Sequence, residues 1–250
     1  MYLDLPGQPF GAGHESAGVT APALGWFFAE GATGSFFDLF ILLSNPNATA
    51  AQVQADYLLP DGTVVTKLYA VLPTSRFNVW VDFEDAQLAD TAVSVRLAVL
   101  NGVPVIAERA MWWVASASPG SWFESHNSPG ATTTGIRWGL AEGEVGGARN
   151  AETFILVANT SGFAGSSSVK LVFEDGGSAE RVFALSPNSR FSVDVGSAFP
   201  SATGRKFGAI VTSLATTGGV AQIVVERATY EDALGVRWAA GSAALGTRLP

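Results

Sequence analysis

The sequence predicts an all-β chain of two tandem immunoglobulin- or fibronectin-like β-sandwich modules, and three observations carry that expectation. The first is an internal repeat that covers most of the 250 residues. Trp26-Phe-Phe-Ala-Glu30-Gly31 recurs as Trp138-Gly-Leu-Ala-Glu142-Gly143, and Phe40-Ile-Leu as Phe154-Ile-Leu. Pro73-Thr-Ser-Arg76-Phe recurs as Pro187-Asn-Ser-Arg190-Phe, and Ile106-Ala-Glu108-Arg109-Ala as Val224-Val-Glu226-Arg227-Ala. The offset grows from 112 to 114 to 118, so small insertions fall between the anchors. A period this long marks tandem domains, not a solenoid. The second observation is that apolar residues alternate with period two and are rich in β-branched and aromatic types. The third is that turn residues punctuate this pattern at intervals of about ten residues, with no sustained helical spacing.

In the first copy, strands are expected at 26–30, 37–44, 52–59, 64–72, 76–83, 91–99 and 103–113. Asp61-Gly62 and Asn101-Gly102 suit the tight turns of hairpins, which need backbone at positive φ. The second copy repeats the series at 138–142, 151–159, 168–174, 178–185, 190–195, 206–215 and 220–230. Seven short strands in about 90 residues fit a sandwich of the immunoglobulin type, with a closed barrel per copy as the alternative. The absence of cysteine excludes the disulfide-pinned subtype. Module one is therefore 26–113 and module two 138–231. Residues 114–137, rich in Ser, Gly, Thr and Pro, read as a linker, ordered because it carries Trp122 and Phe123. Residues 1–25 read as the tail and linker of a preceding unit, since Met1-Tyr2 matches Met111-Trp112. Residues 232–250 read as a C-terminal extra strand, since Val236-Arg-Trp238 matches Ile136-Arg-Trp138. If each tryptophan strand serves the unit after it, residues 237–250 are surplus and lie on a sheet edge of copy two or add to a neighbouring chain.

Composition excludes several functions. A formal charge of -8, with 14 Lys+Arg against 22 Asp+Glu, leaves no basic stripe for nucleic acid. Zero cysteines remove thiolate metal sites and cysteine nucleophiles. No apolar run reaches about 18 residues and Met1-Tyr-Leu-Asp-Leu-Pro has no basic leader, so neither a membrane span nor a signal peptide is read here.

The motifs Trp-x-x-Ala-Glu-Gly, Asn45-Pro46, Ser-Arg-Phe-x-Val, Glu108-Arg-Ala-Met-x-Trp113 and Thr247-Arg-Leu-Pro250 make the sequence resemble an uncharacterised family. Its members are tandem β-rich modules found toward the C-termini of large secreted or cell-surface bacterial proteins. The resemblance spans essentially the whole chain. Copy two departs from it at Thr160, where copy one has Pro46, and at Thr229, where copy one has Met111. It implies an extracellular or cell-surface location, a structural role and other domains of the same polypeptide as partners, but no chemistry.

In an extended strand Trp26, Phe28 and Glu30 share a face, as do Trp138, Leu140 and Glu142. Each glutamate is aimed with large apolar groups and needs a cation. Arg76, Arg109, Arg190 and Arg227 recur in both copies, so a Glu–Arg fork within each copy is the expected structural ion pair. The competing reading makes Glu30 with Glu108, and Glu142 with Glu226, the paired carboxylates of a glycosidase. Two features oppose it. Tandem small modules seldom duplicate an active site, and the arginine after Glu108 and Glu226 favours the ionised carboxylate where a general acid must hold its proton. No Gly-x-Ser-x-Gly, His-Glu-x-x-His or Walker pattern occurs. The chain is expected to be non-enzymatic, with no catalytic residue, metal or cofactor.

His14 and His126 are the only histidines and lie 112 residues apart, each without a second ligand nearby, so both read as loop residues that bond backbone. Asp82, Glu84, Asp85 and Asp90 crowd one loop, where copy two offers only Asp194. An acidic solvated loop is preferred there over a calcium site. Asn47-Ala-Thr and Asn159-Thr-Ser are glycosylation sequons. The aromatic cluster Trp112, Trp113, Trp122 and Phe123 is the candidate ligand or interface surface, for interdomain packing, a glycan or a protein partner. The function expected is a structural or adhesive section of a secreted bacterial protein, self-associating through terminal strands. The alternative is a carbohydrate-binding module that targets an appended enzyme to polysaccharide.

Overall fold

A computed structural model describes residues 2–5, 8–14, 16–114 and 122–250. A hairpin of β1 (Tyr2–Leu5) and β2 (Gln8–Gly13) comes first. Copy one supplies β3 (Gly25–Phe28), β4 (Phe37–Asn45), β5 (Ala51–Leu58), β6 (Val64–Val71), β7 (Ser75–Trp80), β8 (Ser94–Val99) and β9 (Ile106–Val114), and β10 (Trp122–Pro129) follows. Copy two supplies β11 (Arg137–Leu140), β12 (Glu144–Val145), β13 (Glu152–Asn159), β14 (Gly165–Phe173), β15 (Ser178–Leu185), β16 (Ser189–Asp194), β17 (Arg205–Leu214) and β18 (Ile223–Ala233). It ends in β19 (Val236–Leu245) and β20 (Thr247–Arg248). Among the described residues, no helix is long and apolar enough to cross a membrane.

Strand accounts for 61% of the chain against 6% helix, so the all-β expectation holds. The arrangement does not. Four small sheets, ordered β3-β8-β5-β6, β10-β9-β4-β7, β16-β13-β18-β19 and β15-β14-β17-β11-β20, form a four-bladed, propeller-like ring in place of two tandem immunoglobulin- or fibronectin-like sandwiches. Burial shows the physical reason. A sandwich bead leaves one face of each sheet to water and so alternates buried with exposed. β18 is instead buried at every one of its first eight positions, Ile223 to Tyr230. Both of its faces are covered, and Met111, Trp113 and Ala29 of copy one belong to the same apolar cluster as Ile155, Val211 and Val225 of copy two. A separate cluster, with Trp26, Ile41, Val53, Tyr57 and Leu97 at its heart, lies within copy one.

The expected linker is also corrected. Residues 122–129 are β10, hydrogen-bonded to β9 from Trp122↔Val114 to Pro129↔Glu108, while 115–121 lie outside the described residues. β19 holds the same place beside β18. Ser125 faces Trp112 across one hairpin, and Gly241 faces Tyr230 across the other. Asp38 pairs with Trp112 as Glu152 pairs with Tyr230. Trp238 therefore stands where Trp122 stands, not where Trp138 does, and β19 lies on the edge of a copy-two sheet, one of the two placements expected for 237–250. The bridge Phe27↔Ala131 likewise recurs as Gly139↔Thr247. β3 and β11 pair with β8 and β17, each in the copy that follows it.

The repeated motifs are folding anchors. The Trp26 indole donates to Val105 O at 2.9 Å and that of Trp138 to Ile223 O at 3.0 Å. Gly31 admits a close crossing, since a Cβ there would meet Val93 O at 2.5 Å and Leu39 Cδ2 at 2.9 Å. Asn45 and Asn159 tie corners: Nδ2 of Asn45 donates to Val71 O and Leu72 O, and that of Asn159 to Phe163 O and Ser186 O. The sequon asparagine Asn159 is thus fully buried and spent on the fold. Nδ2 of Asn47 is similarly taken by Asn45 Oδ1 and Pro104 O. In the Pro-x-Ser-Arg turn, Thr74 (φ 48°) and Asn188 (φ 46°) both occupy the left-handed region, which asparagine tolerates better than a β-branched side chain.

Candidate functional site

Charged groups from both copies meet at the buried seam between them. Arg109 on β9 and Glu226 on β18 are both 0% exposed and lie 3.1 Å apart, Nη2 to Oε2. The other Glu226 oxygen accepts the Ala29 N–H at 3.1 Å. Arg190 on β16 crosses in the opposite direction: its Nη1 donates to Gly31 O, and its Nη2 to Ser192 Oγ at 2.7 Å. Burial pulls the Arg190 guanidinium below its ordinary value, opposed by the negative field of Glu30 and Glu226. Two cations thus answer two carboxylates, as buried charge requires. Arg96 Nη1 to Thr160 O at 2.9 Å and Trp113 Nε1 to Trp238 O at 2.8 Å are further crossings.

The histidine expected in a loop is at this seam. His126, on β10, is fully buried, with Nδ1 3.1 Å from Arg109 Nη1 and Nε2 3.4 Å from Tyr230 OH. A guanidinium only donates, so Nδ1 is the acceptor and the ring is neutral with its proton on Nε2. Burial, then the nearby Arg109 and His14, hold its pKa well below the ordinary histidine value. Burial also raises the Tyr230 hydroxyl far above its usual range and pushes the Glu226 carboxyl up, against the opposing pull of Arg109 and the Ala29 N–H. Glu124, two residues before His126 on β10, is pushed up to about 7 by burial. In copy two the place of His126 is taken by Ser242, which accepts from Arg227 Nη1 at 3.0 Å.

The within-copy ion pair is seen once, between Arg227 and Glu142 at 3.3 Å, with the Glu142 side chain 80% exposed. The deeply buried ion pair crosses between copies instead, Arg109 to Glu226, while the Arg190 guanidinium donates to Gly31 O and Ser192 Oγ with Glu30 close enough to act on its charge. Arg76 is exposed and carries no ion pair among the described residues. Glu108 is half-buried on the opposite face of β9 from Arg109, and Glu226 is sealed from solvent. Glu30, Phe37, Met111, Arg190, Tyr230 and Trp238 line a recess of about 180 Å³, smaller than the roughly 300 Å³ at which ordinary ligand pockets begin.

The acidic loop is not simply solvated. Asp82 is buried and accepts the N–H groups of Gly34 and Leu39, each at 3.0 Å. Asp85 pairs with Lys67 at 3.0 Å, and Glu84 accepts from Tyr69 OH at 2.7 Å. These oxygens serve the fold and do not converge; no cluster able to hold a metal occurs among the described residues.

The four candidate aromatics separate. Trp113 is fully buried in the seam, 5.3 Å from Tyr230, while Trp112 packs tilted against Trp122 at 5.0 Å on the outer face of the same sheet. Phe123 is half-buried. Sequence reading missed the rest of that face: Phe40, Trp80 and Phe83, with Asp38 accepting from the Trp80 and Trp122 indoles at 3.0 and 2.5 Å. The signal was the even-numbered aromatic at Phe40 on β4 and at Trp80 on β7, on the side expected to be polar.

No protein-family model matches the chain. No curated protein matches it either. Among solved structures it is similar to Thermotoga maritima 1070, at 16% identity over 44% of this chain and 94% of that one, with a TM-score of 0.39. The Anabaena sensory rhodopsin transducer matches at 15% identity over 36% of this chain and 90% of that one, with a TM-score of 0.32. Streptomyces avermitilis α-L-rhamnosidase complexed with L-rhamnose matches at 10% identity over 91% of this chain and 28% of that one, with a TM-score of 0.25. Scores this low establish neither a shared fold nor a shared activity.

Proposed function

We propose that the chain is a non-enzymatic structural section of a cell-surface bacterial protein, in which successive β modules are locked face to face by buried charge. The observation that carries this reading is the Arg109–Glu226 pair, at zero exposure and contributed one residue by each copy. Catalytic carboxylates need a substrate within reach, whereas a rivet needs its charges sealed. The cell-surface placement rests on the motif resemblance. A second reading, carbohydrate binding, is favoured by one observation: Trp80 and Trp122 are each 38% exposed and Phe83 76% exposed, and such rings stack on sugars.

Pulling the chain by its two ends tests the structural reading. Both copies are expected to yield in one event, because opening either strips the other of its charge partner. Two separate events of similar length would contradict it, as would hydrolysis of glycosides, esters or peptides that disappears in Glu226→Gln.

A further inference from the structure

We infer that the outer face of the β10-β9-β4-β7 sheet is a docking surface for one further module of the copy-one type. The inference deepens the structural reading above. The face gathers Phe40, Trp80, Phe83, Trp112 and Trp122 around Asp38. Phe40 lies 5.1 Å from Trp80 and 5.8 Å from Trp122, and Trp80 lies 4.7 Å from Phe83. Contiguous aromatic surface of this kind marks an interaction site.

The chain itself shows what covers such a face. Phe154, Tyr230 and Trp238 in copy two are the register equivalents of Phe40, Trp112 and Trp122. Tyr230 stacks on Trp238 at 4.4 Å and 20°, and Trp112 packs against Trp122 in the same place, tilted by 30° at 5.0 Å. In copy two that stack lies under copy one: Phe36 and Phe37 approach Trp238 at 5.5 and 5.9 Å, and Trp113 approaches Tyr230. In copy one the corresponding pair is open.

The first hairpin supplies an independent observation. Tyr2↔Gly13 repeats the register of Trp112↔Ser125, so β1 and β2 stand to copy one as β9 and β10 stand to copy two. His14 accordingly reaches Asn127 O at 2.9 Å, with its ring 6.2 Å from that of His126. β9 pairs with β4 on its second edge, whereas β1, among the described residues, pairs with β2 alone. A strand equivalent to β4, led in by the counterparts of Phe36 and Phe37, would fill that edge and lie over Trp112 and Trp122.

A second copy of this chain is a poor occupant. Its counterparts of Phe36, Phe37 and Trp113 are Asn150, Ala151 and Glu231, of which Asn150 and Glu231 are polar and Ala151 is small and buried, so none brings an aromatic ring to the face.

The test uses the full chain and an extended chain in which residues 26–112 precede residues 3–250, with hydroxyl-radical footprinting read residue by residue. Oxidation of Trp112 and Trp122, whose counterparts Tyr230 and Trp238 lie under copy one, is expected to fall in the extended chain toward the level of Trp113, which is fully buried. An extension built from 138–230, bearing Asn150 and Ala151, is expected to leave it unchanged. The inference is overturned if Trp112 and Trp122 stay as reactive behind the copy-one extension as without it, or if the added copy gains no hydrogen-exchange protection. Two results with the native chain also overturn it: protection by soluble laminarin, which makes a glycan the occupant, and concentration-dependent dimers lost in Trp122→Ser, which make it a second copy. None of these outcomes touches the single-event unfolding expected above, so the two proposals fail separately.

Discussion

Glu226→Ala is expected to lower the free energy of unfolding by about 3–5 kcal/mol, measured by urea denaturation, because it strands a buried guanidinium. Arg109 lies at zero exposure, and its remaining contact, the His126 ring, carries no charge to answer it. Glu226 also satisfies the Ala29 N–H, so one truncation leaves two donors of copy one unpaired from a residue of copy two. Replacing both partners by apolar groups, as in Arg109→Met with Glu226→Leu, is expected to recover most of the loss, since the cost lies in the orphaned charge more than in the missing attraction. Glu108 occupies the same motif position in copy one but is half-buried, and Glu108→Ala is expected to cost at most about 1 kcal/mol. Equal effects at Glu108 and Glu226 would contradict the crossing pair.

Between pH 6.5 and 5, stability is expected to fall more steeply on acidification in Glu124→Gln than in the native chain. The unfolded His126 takes a proton near 6.5, while the buried ring stays neutral to a much lower pH. Below 6.5 the unfolded state therefore binds the extra proton, and stability falls as pH falls, by about 1.4 kcal/mol per unit. Glu124 has the opposite sign: its folded pKa is about 7 against 4.5 unfolded, so between those values the native state binds the extra proton and stability rises on acidification. The two slopes oppose each other across roughly pH 5–6.5. Removing the carboxyl in Glu124→Gln exposes the histidine slope, a loss of about 2 kcal/mol between pH 6.5 and 5. His126→Asn is expected to leave the carboxyl slope alone and to gain stability over the same range. Referring each variant to the native chain removes the contribution of His14, which is common to all three. Identical profiles would show that Glu124 and His126 titrate as exposed groups.

Alternation, turn pairs and the repeated Trp, Asn and Pro-x-Ser-Arg anchors made the strands legible to within a few residues, because those patterns are local. β10 escaped because Glu-Ser-His-Asn-Ser-Pro reads as a loop, although its pairing to β9 is continuous after a bulge at the start. Trp238 was aligned with Trp138 because a β-branched residue and an arginine precede the tryptophan in both, Ile136-Arg137 and Val236-Arg237. The Trp122 counterpart was hidden by unequal hairpin connections, 115–121 in one copy against Leu234-Gly235 in the other. The ring arrangement had a signal that went unread. Along β18, Val224, Ala228 and Tyr230 on one face are as apolar as Ile223 and Val225 on the other, which requires cover on both sides. Charge pairing had no local signal at all: a recurring Glu and a recurring Arg state that a pair forms, while the choice between partners within a copy and across copies depends on how the sheets pack.

The central claim is that the two copies share one buried seam and fold as one unit, and differential scanning calorimetry tests it most directly. A single symmetrical transition is predicted, with a van't Hoff enthalpy equal to a calorimetric enthalpy of about 175 kcal/mol for the whole chain. Two resolved transitions, or a van't Hoff enthalpy near half the calorimetric one, would show that each copy melts alone and that the seam does not join them.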